Sequence, residues 1–456
     1  MVFLLKRLTC IVVVSTILIS TKYMFEETKI MKRISVFLLI AILLVGLVPV
    51  VNAQDGGSSD CAEPTGVTLT LAGWSSNPAE DEALRQQLEA FTCATGIGAE
   101  FVPSTDHRVT MQSGFASGDY ANVFYIDSSY LPDWVAAGVV DAGEDKIENV
   151  DGFYPSLIDI FTVDGVLYCP PKDFSTMALQ YNKDLFDAAG LEYPNENWTW
   201  EDLRAAAEAL TDEEAGVIGL VTPPNLERWL PFLYQAGGGF FDEFGVFVMD
   251  SPEAVEALDY YVSFARDGIG GPPDVVDAGW GGEAFGTGRA AMAMEGNWVI
   301  QFLLENYPEL NWGVTELPAG EFGKATMAFT VCYGVGADNE YLDESWQLVN
   351  FLTNEEGAER FAQVTFGPMP SRMSAADEYI ATWEARTEGL GVDYTDFEAF
   401  IKGADYAYPW VLPVGWGAFT DAFNAALQRA FSGEITAEEA LQEAFTVANE
   451  LIAQEE

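Results

Sequence analysis

The sequence has a single histidine, His107, among its 456 residues, and only 21 lysine and arginine residues against 71 aspartate and glutamate residues. One histidine, without a serine in a nucleophile-elbow motif, argues against a Ser-His-Asp hydrolase. The sequence also lacks a GxGxxG motif after a strand and a P-loop, so it offers no cradle for a dinucleotide or a nucleoside triphosphate. These absences predict a protein without a cofactor.

Basic residues are scarcest after the N-terminal segment. The first 53 residues hold six of the basic and two of the acidic residues, which leaves 15 and 69 in the remainder and a net charge near −54. Such a charge repels nucleic acids and anionic lipids and keeps the protein soluble, so no nucleic-acid partner is expected. With so many carboxylates, no particular pair of them indicates glycoside hydrolysis.

Residues 31–53 have the pattern of a secretory signal. Two basic residues precede an apolar stretch at 34–48, and a small-residue cleavage site ends at Ala53. Cleavage there leaves Gln54 as the first residue. The pattern predicts export, either to the periplasm or to the cell surface.

The segment before this signal has a less defined role. Met31 is the expected start, and residues 1–30 are interpreted as an upstream extension. Residues 8–20 are also apolar, so an uncleaved anchor or a two-segment hairpin is the alternative. After the signal, residues 54–66 are rich in Gly, Ser and Asp and predict a flexible leader.

Four cysteines follow the signal, and none of them forms a CxxC pair. With one histidine this pattern does not support zinc, and no metal is expected. Cys61 precedes the first predicted strand, and Cys93 lies in the last turn of the following helix, so we expect a Cys61–Cys93 disulfide at that end of the unit. Cys169 and Cys332 form either a second disulfide or two buried thiols. A lipid-bearing Cys61 is a further alternative.

The first part of the mature chain alternates strands with helices. Strands are predicted at 67–72, 97–102 and 122–126, and helices at 79–94 and 107–117. This alternation predicts parallel βαβ units and an α/β fold. The apolar residues of the first helix are spaced as on one helix face.

Two polar or aromatic residues lie where the predicted strands end. Trp74 follows the first strand, and Asp127 ends the third. Ligands of open α/β sheets bind beyond the carboxyl ends of the strands, so both residues are expected to border one crevice.

Three later helices carry clear start signals. The caps and the predicted helices are Thr199 before 200–210, Ser251 before 252–267, and Thr436 with Glu439 before 437–452.

All twelve tryptophans lie after the signal, and several occupy Gly- and Pro-rich, loop-like settings. The flat C–H faces of sugars stack on aromatic rings, while sugar hydroxyls need carboxylate or amide partners. A stacked indole contributes roughly 2–3 kcal/mol. Core packing is the alternative for each single tryptophan. The tryptophans in such settings are Trp74, Trp229, Trp280, Trp298, Trp410 and Trp416.

Six further motifs occur in one order along the chain. They are SGFASGD at 113–119, PKDFSTMALQYNKDLFDAAGL at 171–191, WTWEDL at 198–203, FGTGRAAM at 285–292, MEGNW at 294–298 and WGVTELPAG at 312–320. With these motifs the chain resembles the family 1 extracellular solute-binding proteins, the maltose-binding-protein-like sugar-binding proteins of ABC transporters. The resemblance covers about residues 67–452.

The resemblance implies a type II periplasmic-binding-protein fold: two α/β lobes with a ligand cleft between them, joined by crossing hinge segments. Residues 67–172 and 331–371 are then lobe 1, and residues 173–330 and 372–456 are lobe 2.

The resemblance also implies a function without catalysis. A monomeric protein captures a carbohydrate by hinge closure and delivers it to the permease subunits of an ABC importer. A secreted carbohydrate-active enzyme, or a ligand-presenting subunit of a sensory system, is the alternative.

The resemblance assigns roles to residues of this sequence. Trp298 is expected to stack on sugar, and Asp173, at the first crossing, is expected to accept sugar hydroxyls or to hold the hinge. Trp229, Trp410 and Trp416 are weaker assignments, because loop lengths differ there between family members. The full set of expected ligand-binding residues is Trp74, Asp127, Asp173, Trp229, Asn297, Trp298, Trp410 and Trp416.

Overall fold

The computed structural model describes residues 61–75, 78–241, 246–363, 367–388, 390 and 392–455. The predicted signal at 31–53, the extension before it and the leader up to residue 60 lie outside the described residues. The strands of the described part are β1 Thr68–Gly73, β2 Gly98–Pro103, β3 Val123–Asp127, β4 Thr162–Val163, β5 Val166–Leu167, β6 Pro171–Asn182, β7 Ile218–Val221, β8 Gly270–Gly271, β9 Ala290–Gly296, β10 Trp312–Thr315, β11 Thr326–Val335, β12 Met369–Pro370 and β13 Ala407–Pro409.

Helices connect and cover these strands. The α-helices are α1 Pro78–Thr95, α2 His107–Ser117, α3 Leu131–Ala136, α4 Pro155–Ile160, α5 Lys183–Ala189, α6 Trp200–Leu210, α7 Leu226–Gln235, α8 Pro252–Arg266, α9 Gly281–Gly286, α10 Val299–Asn306, α11 Leu342–Thr353, α12 Glu355–Ala362, α13 Ala376–Thr387, α14 Glu398–Gly403, α15 Gly417–Phe431 and α16 Ala437–Glu455. Short 3-10 helices occur at Val150–Gly152, Pro273–Val276, Met373–Ala375, Tyr394–Phe397 and Ala404–Tyr406.

The first lobe is built on the parallel strands β2, β1 and β3, with β11 antiparallel beside β3. Leu71 of β1 lies opposite Phe101 on one side and Val123 on the other. The predicted βαβ units are confirmed, and each observed strand lies within one residue of its prediction. Because β1 and β3 are parallel, their carboxyl ends reach the same edge of the sheet.

Two long strands, β6 and β11, join the lobes. The first half of β6 pairs with β11, with Thr176 opposite Ala328. The second half pairs with β9 of the second lobe, with Met177 opposite Gly296. The second lobe continues through β7 to β8, while β10 also pairs with β6. The chain therefore crosses between lobes along continuous strands.

Separate groups of buried side chains stabilise the two lobes. Leu69, Val123 and Val335 belong to the cluster of the first lobe. A cluster of the second lobe joins β6 to α6–α8, α15 and α16, and a third packs α12, α13 and α14 against β9 and α9. The predicted two-lobe α/β fold is thus observed. The residue boundaries proposed for the lobes stay a prediction, since Ala358 and Met369 pack in the third cluster beside Phe285.

The predicted helix starts are confirmed in the structure. Thr199 and Asp202 form a reciprocal capping box at α6. The Ser251 side chain accepts a hydrogen bond from the Ala254 backbone N–H at α8. The Thr436 hydroxyl oxygen likewise accepts from the backbone N–H of Glu439 at α16. Each cap satisfies a backbone N–H that has no partner inside the helix.

The structure contains both disulfides considered in the sequence analysis. Cys61 and Cys93 have their Cα atoms 4.4 Å apart, and the backbone N–H of Ala62 donates to the Cys93 carbonyl, so residues 61 and 62 are held at the end of α1. Cys169 and Cys332 are fully buried, with Cα atoms 5.7 Å apart, and join the segment before β6 to β11. Among the described residues, every helix is either too short or too polar for a membrane span.

Candidate functional site

A cavity of about 940 Å³ lies between the two lobes, and we call it the cleft. Its walls come from the ends of β1 and β3, from the crossing strands β6 and β11, and from α7, α10 and α15 of the second lobe. Its volume lies at the upper end of the usual range for ligand pockets, roughly 300–1,000 Å³.

The first lobe contributes Trp74 and Asp127, as the strand-end rule predicts. Trp74 packs edge-on against Tyr125, with ring centroids 5.3 Å apart. A side chain at Gly73 would approach the Tyr125 ring to 2.6 Å, so glycine is required before this tryptophan. Asp127 accepts hydrogen bonds from the backbone and hydroxyl of Ser129.

Asp127 lies in an unusual electrostatic environment. Burial raises the pKa of its carboxyl group, and the bonds from Ser129 oppose that change. The negative charge of Glu227, on the second lobe, raises the pKa further, because like charges repel. Arg108, which lies over the Tyr130 ring, lowers it. A carboxylate from each lobe, Asp127 and Glu227, therefore lines the cleft.

A buried lysine occupies the start of the first crossing strand. The Nζ of Lys172 contacts Asp173 and lies 3.1 Å from Oε1 of Glu80. Burial alone would lower the pKa of Lys172, but the two carboxylates raise it well above its usual value. Burial raises the pKa of Asp173, and Lys172 opposes the change. The Asp173 carboxylate is thus held by a cation at the edge of the cleft.

The second lobe contributes an aromatic surface supported by an ion pair. Nη2 of Arg228 lies 3.0 Å from Oε2 of Glu295, which also accepts a 3.2 Å hydrogen bond from the Trp298 indole N–H. The guanidinium lies over the Trp298 ring, 5.2 Å from its centroid, and over Phe329 at 5.6 Å. A Cβ at Gly296 would lie 2.2 Å from the Trp298 ring, so glycine allows the indole to fold back onto the strand end.

Five of the eight predicted site residues line the cleft: Trp74, Asp127, Asp173, Trp298 and Trp410. Trp410 is held by its backbone, since its N–H donates to the Ala328 carbonyl and its carbonyl accepts from the Ser128 hydroxyl. The structure therefore brings together residues that are up to 336 positions apart in the sequence.

The other three predicted residues, Trp229, Trp416 and Asn297, do not line the cleft. Trp229 is fully buried and stacks on Phe423, because α7 turns residue 228 toward the cleft and residue 229 toward the core. Trp416 is also buried, in a cluster of phenylalanines that includes Phe247. The Asn297 side chain is buried as well and donates to the Gly367 carbonyl, so it holds two loops together.

Sequence reasoning missed Glu227 and Arg228. The signal that could have found them is the strand-end rule already applied to Trp74 and Asp127. Applied to β7, which ends at Val221, the rule points to the segment 222–228. Lys172 stands inside a motif used for the family resemblance, but its burial could not be foreseen.

His107 packs against Trp74 at the wall of the cleft, with ring centroids 5.7 Å apart. Its burial predicts that the stability of the protein depends on pH. The ring is buried, and its Nε2 lies 2.8 Å from the Tyr125 carbonyl oxygen. Burial lowers the pKa of this histidine. Below pH about 6.5 the unfolded chain therefore binds a proton that the folded chain does not, so stability falls as the pH decreases.

The measurement is the free energy of unfolding in urea, at pH values above and below 6.5, for the wild type and for His107→Gln. The wild type should lose more stability on acidification than the variant. Equal losses would mean that His107 titrates normally in the folded protein.

Residues 86–388, more than half of the chain, match the family of bacterial extracellular solute-binding proteins, and the chain therefore belongs to this family. A binding protein of Brucella abortus is 26% identical over 413 residues, which cover 87% of this chain and 94% of that protein. The arabinooligosaccharide-binding protein of Halalkalibacterium halodurans is 26% identical over 226 residues, which cover 47% of this chain and 49% of the relative.

Solved structures share the fold. An ABC substrate-binding protein of Listeria monocytogenes, solved in complex with cycloalternan, aligns with a TM-score of 0.75 at 24% identity and covers 85% of this chain and 99% of that one. The maltose-bound MalE3 of T. maritima aligns with a TM-score of 0.69 at 21% identity, over 84% of this chain and 100% of the other. The predicted family of extracellular solute-binding proteins and the type II two-lobe fold are thereby confirmed. The family is extracellular, and its members are binding proteins.

Proposed function

We propose that the protein captures a neutral carbohydrate in the cleft. The observation that carries the proposal is the presence of aromatic rings and carboxylates from both lobes in one cleft, which is lined by Trp74, Asp127, Trp298 and Glu227. Indole faces stack on sugar rings, and carboxylates accept hydrogen bonds from sugar hydroxyls. The names of related proteins, which include arabinooligosaccharide and maltose binders, support the same ligand class.

The charges of the cleft favour a neutral ligand over an anionic one. Among the described residues that line it, the cationic ones are Lys172 and Arg228, and both are already paired with buried carboxylates. Asp127, Glu227 and Glu305 add further negative charge. A phosphate or a uronic acid would enter without a free cation and against this field. One family relative of Escherichia coli is named for binding sn-glycerol-3-phosphate, and we infer a different specificity here.

The mechanism that we propose is hinge closure. The ligand contacts both lobes at once, and the two lobes are joined by β6 and β11, which line the cleft through Asp173, Ser175 and Phe329. A ligand shifts the open–closed equilibrium only as far as it binds the closed state better. The closed monomer then delivers the carbohydrate to membrane permease subunits, which are separate chains. The protein is exported through the signal at 31–53 and does not alter the ligand chemically.

A thermal-shift screen tests the ligand class. The panel contains neutral mono- and oligosaccharides, sn-glycerol-3-phosphate and oligogalacturonides. A ligand at 100 times its Kd stabilises by about 2.7 kcal/mol, which gives a measurable rise in Tm. Neutral sugars should raise Tm, and the anionic compounds should not. A response to the anionic compounds alone would overturn the proposal, and release of shorter sugars from a bound oligosaccharide would favour the enzymatic alternative.

Trp298→Ala is the sharpest test of the stacking surface. The change should weaken binding of the sugar found in the screen by about 2 kcal/mol, or roughly 30-fold in Kd, because it removes a half-buried indole that lines the cleft. Isothermal titration measures the effect. Trp298→Phe is the matched control and should retain most of the affinity, since a ring remains. Unchanged affinity in Trp298→Ala would show that the indole serves packing only.

A further inference from the structure

A second cavity of about 300 Å³, which we call the side pocket, lies beside the cleft. It stands at the carboxyl ends of the parallel strands β7 and β8, where ligands of α/β sheets bind. Two proline pairs form its walls, at 223–224 after β7 and at 272–273 after β8. Arg228 and Trp280 line both the side pocket and the cleft, so the two cavities are neighbours.

A carboxylate oxygen of the buried residue Glu295 faces the side pocket. Glu295 lines this pocket and is 2% exposed. Its Oε2 is engaged by Arg228 and Trp298, while its Oε1 accepts no hydrogen bond from any described residue. A Cβ at Gly281 would lie 2.4 Å from this Oε1, so the glycine leaves the oxygen uncovered. This oxygen is therefore open to a hydrogen-bond donor that enters the side pocket.

Two residues that line the side pocket, Arg228 and Asn225, offer hydrogen-bond donors. The Nε of Arg228 is buried and has no hydrogen-bond partner among the described residues. Asn225 lines the side pocket at the start of α7, but its side chain makes no capping bond to the helix. Flat apolar walls of proline and indole, together with free acceptors and donors, are the chemistry that binds a sugar ring.

We propose that the side pocket is a second carbohydrate subsite, which takes the end or a branch of an oligosaccharide whose main part fills the cleft. This inference rests on the proposed function, since the ligand must first enter the cleft. The sugar unit is neutral, because Glu295 and Asp274 make the pocket acidic. The side pocket therefore selects longer or branched oligosaccharides over a disaccharide.

The test fills the side pocket and compares ligands of increasing length. Asn225 lines the side pocket and not the cleft, and its extended backbone and missing cap bond make it tolerant of substitution. Asn225→Trp should leave the Kd of a disaccharide unchanged and raise that of the longest oligosaccharides at least tenfold. The probes are the linear series from disaccharide to hexasaccharide of the sugar found in the screen, together with a branched isomer, measured by isothermal titration.

Asn225→Ala is the matched control for folding and for the loss of the amide alone; it should weaken the long oligosaccharides less than Asn225→Trp does. The inference is overturned if the wild type binds all lengths equally, or if Asn225→Trp changes short and long ligands to the same extent. Absence of binding of any oligosaccharide to the wild type refutes the proposed function instead, and the inference with it.

Discussion

Replacing Lys172 by methionine is expected to lower the free energy of unfolding by about 3–5 kcal/mol. The lysine is 9% exposed, and its Nζ binds both Glu80 and Asp173. Its ammonium group also lies over the Tyr125 ring. Methionine fills a similar volume but removes the ammonium group that Asp173 and Glu80 contact. The loss should be read from urea unfolding at neutral pH.

Two comparisons separate this electrostatic loss from a packing defect. Lys402→Met removes an exposed pair with Glu398 and should change stability by at most about 0.5 kcal/mol. The Lys172→Met defect should shrink as the pH falls, because burial raises the pKa of Asp173 and Lys172 no longer opposes that change, so Asp173 takes up a proton in the folded variant before it does so in the unfolded one. A loss as small as that of Lys402→Met, or one that does not depend on pH, would contradict the buried ion network.

Local signals in the sequence predicted much of the first lobe. The helix expected at 79–94 spans Pro78–Thr95, because its apolar residues recur on one face and pack against β2. The caps at Thr199, Ser251 and Thr436 specified helix starts to the residue. These features depend on neighbours within a few positions, so a single sequence contains them.

The composition of the cleft was less predictable, and the tryptophans show why. The sequence predicts loop-like settings for both Trp298 and Trp229, yet Trp298 lines the cleft and Trp229 packs fully buried against Phe423. The orientation of α7 about its axis decides whether Trp229 points into the core or into the cleft. The packing of Trp229 on Phe423 of α15 fixes that orientation. Local propensity contains no information about such distant contacts.

Ion pairs between residues far apart in the sequence could not be predicted either. Arg228 and Glu295 are 67 residues apart, and Lys172 and Glu80 are 92 apart. Each pair forms only because the sheet brings distant strand and helix ends to one edge. In a chain with 71 acidic residues, the sequence alone could not identify which carboxylates are buried.

Removing the disulfide near the hinge, by Cys169→Ala with Cys332→Ala, should lower the free energy of unfolding by about 5 kcal/mol in the chain-entropy model. The bridge closes a loop of 163 residues, which contains the crossing strand β6 and most of the second lobe. Both positions are fully buried, so alanine is preferred to serine, which would leave an unpaired hydroxyl in the core. Peptide mapping under non-reducing conditions first establishes the pairing in the secreted protein.

The Cys61–Cys93 bridge provides the matched comparison, because it closes only 32 residues and should contribute about 3–4 kcal/mol. Urea unfolding of the two double variants should therefore show a larger loss of unfolding free energy without the Cys169–Cys332 disulfide than without the Cys61–Cys93 disulfide. A disulfide acts mainly by restricting the unfolded chain, so the cleft geometry and the sugar affinity of the Cys169→Ala/Cys332→Ala protein should stay close to those of the wild type. If that variant instead keeps its stability but loses affinity, the bridge acts on the hinge itself, since Cys332 follows Val331 at the wall of the cleft.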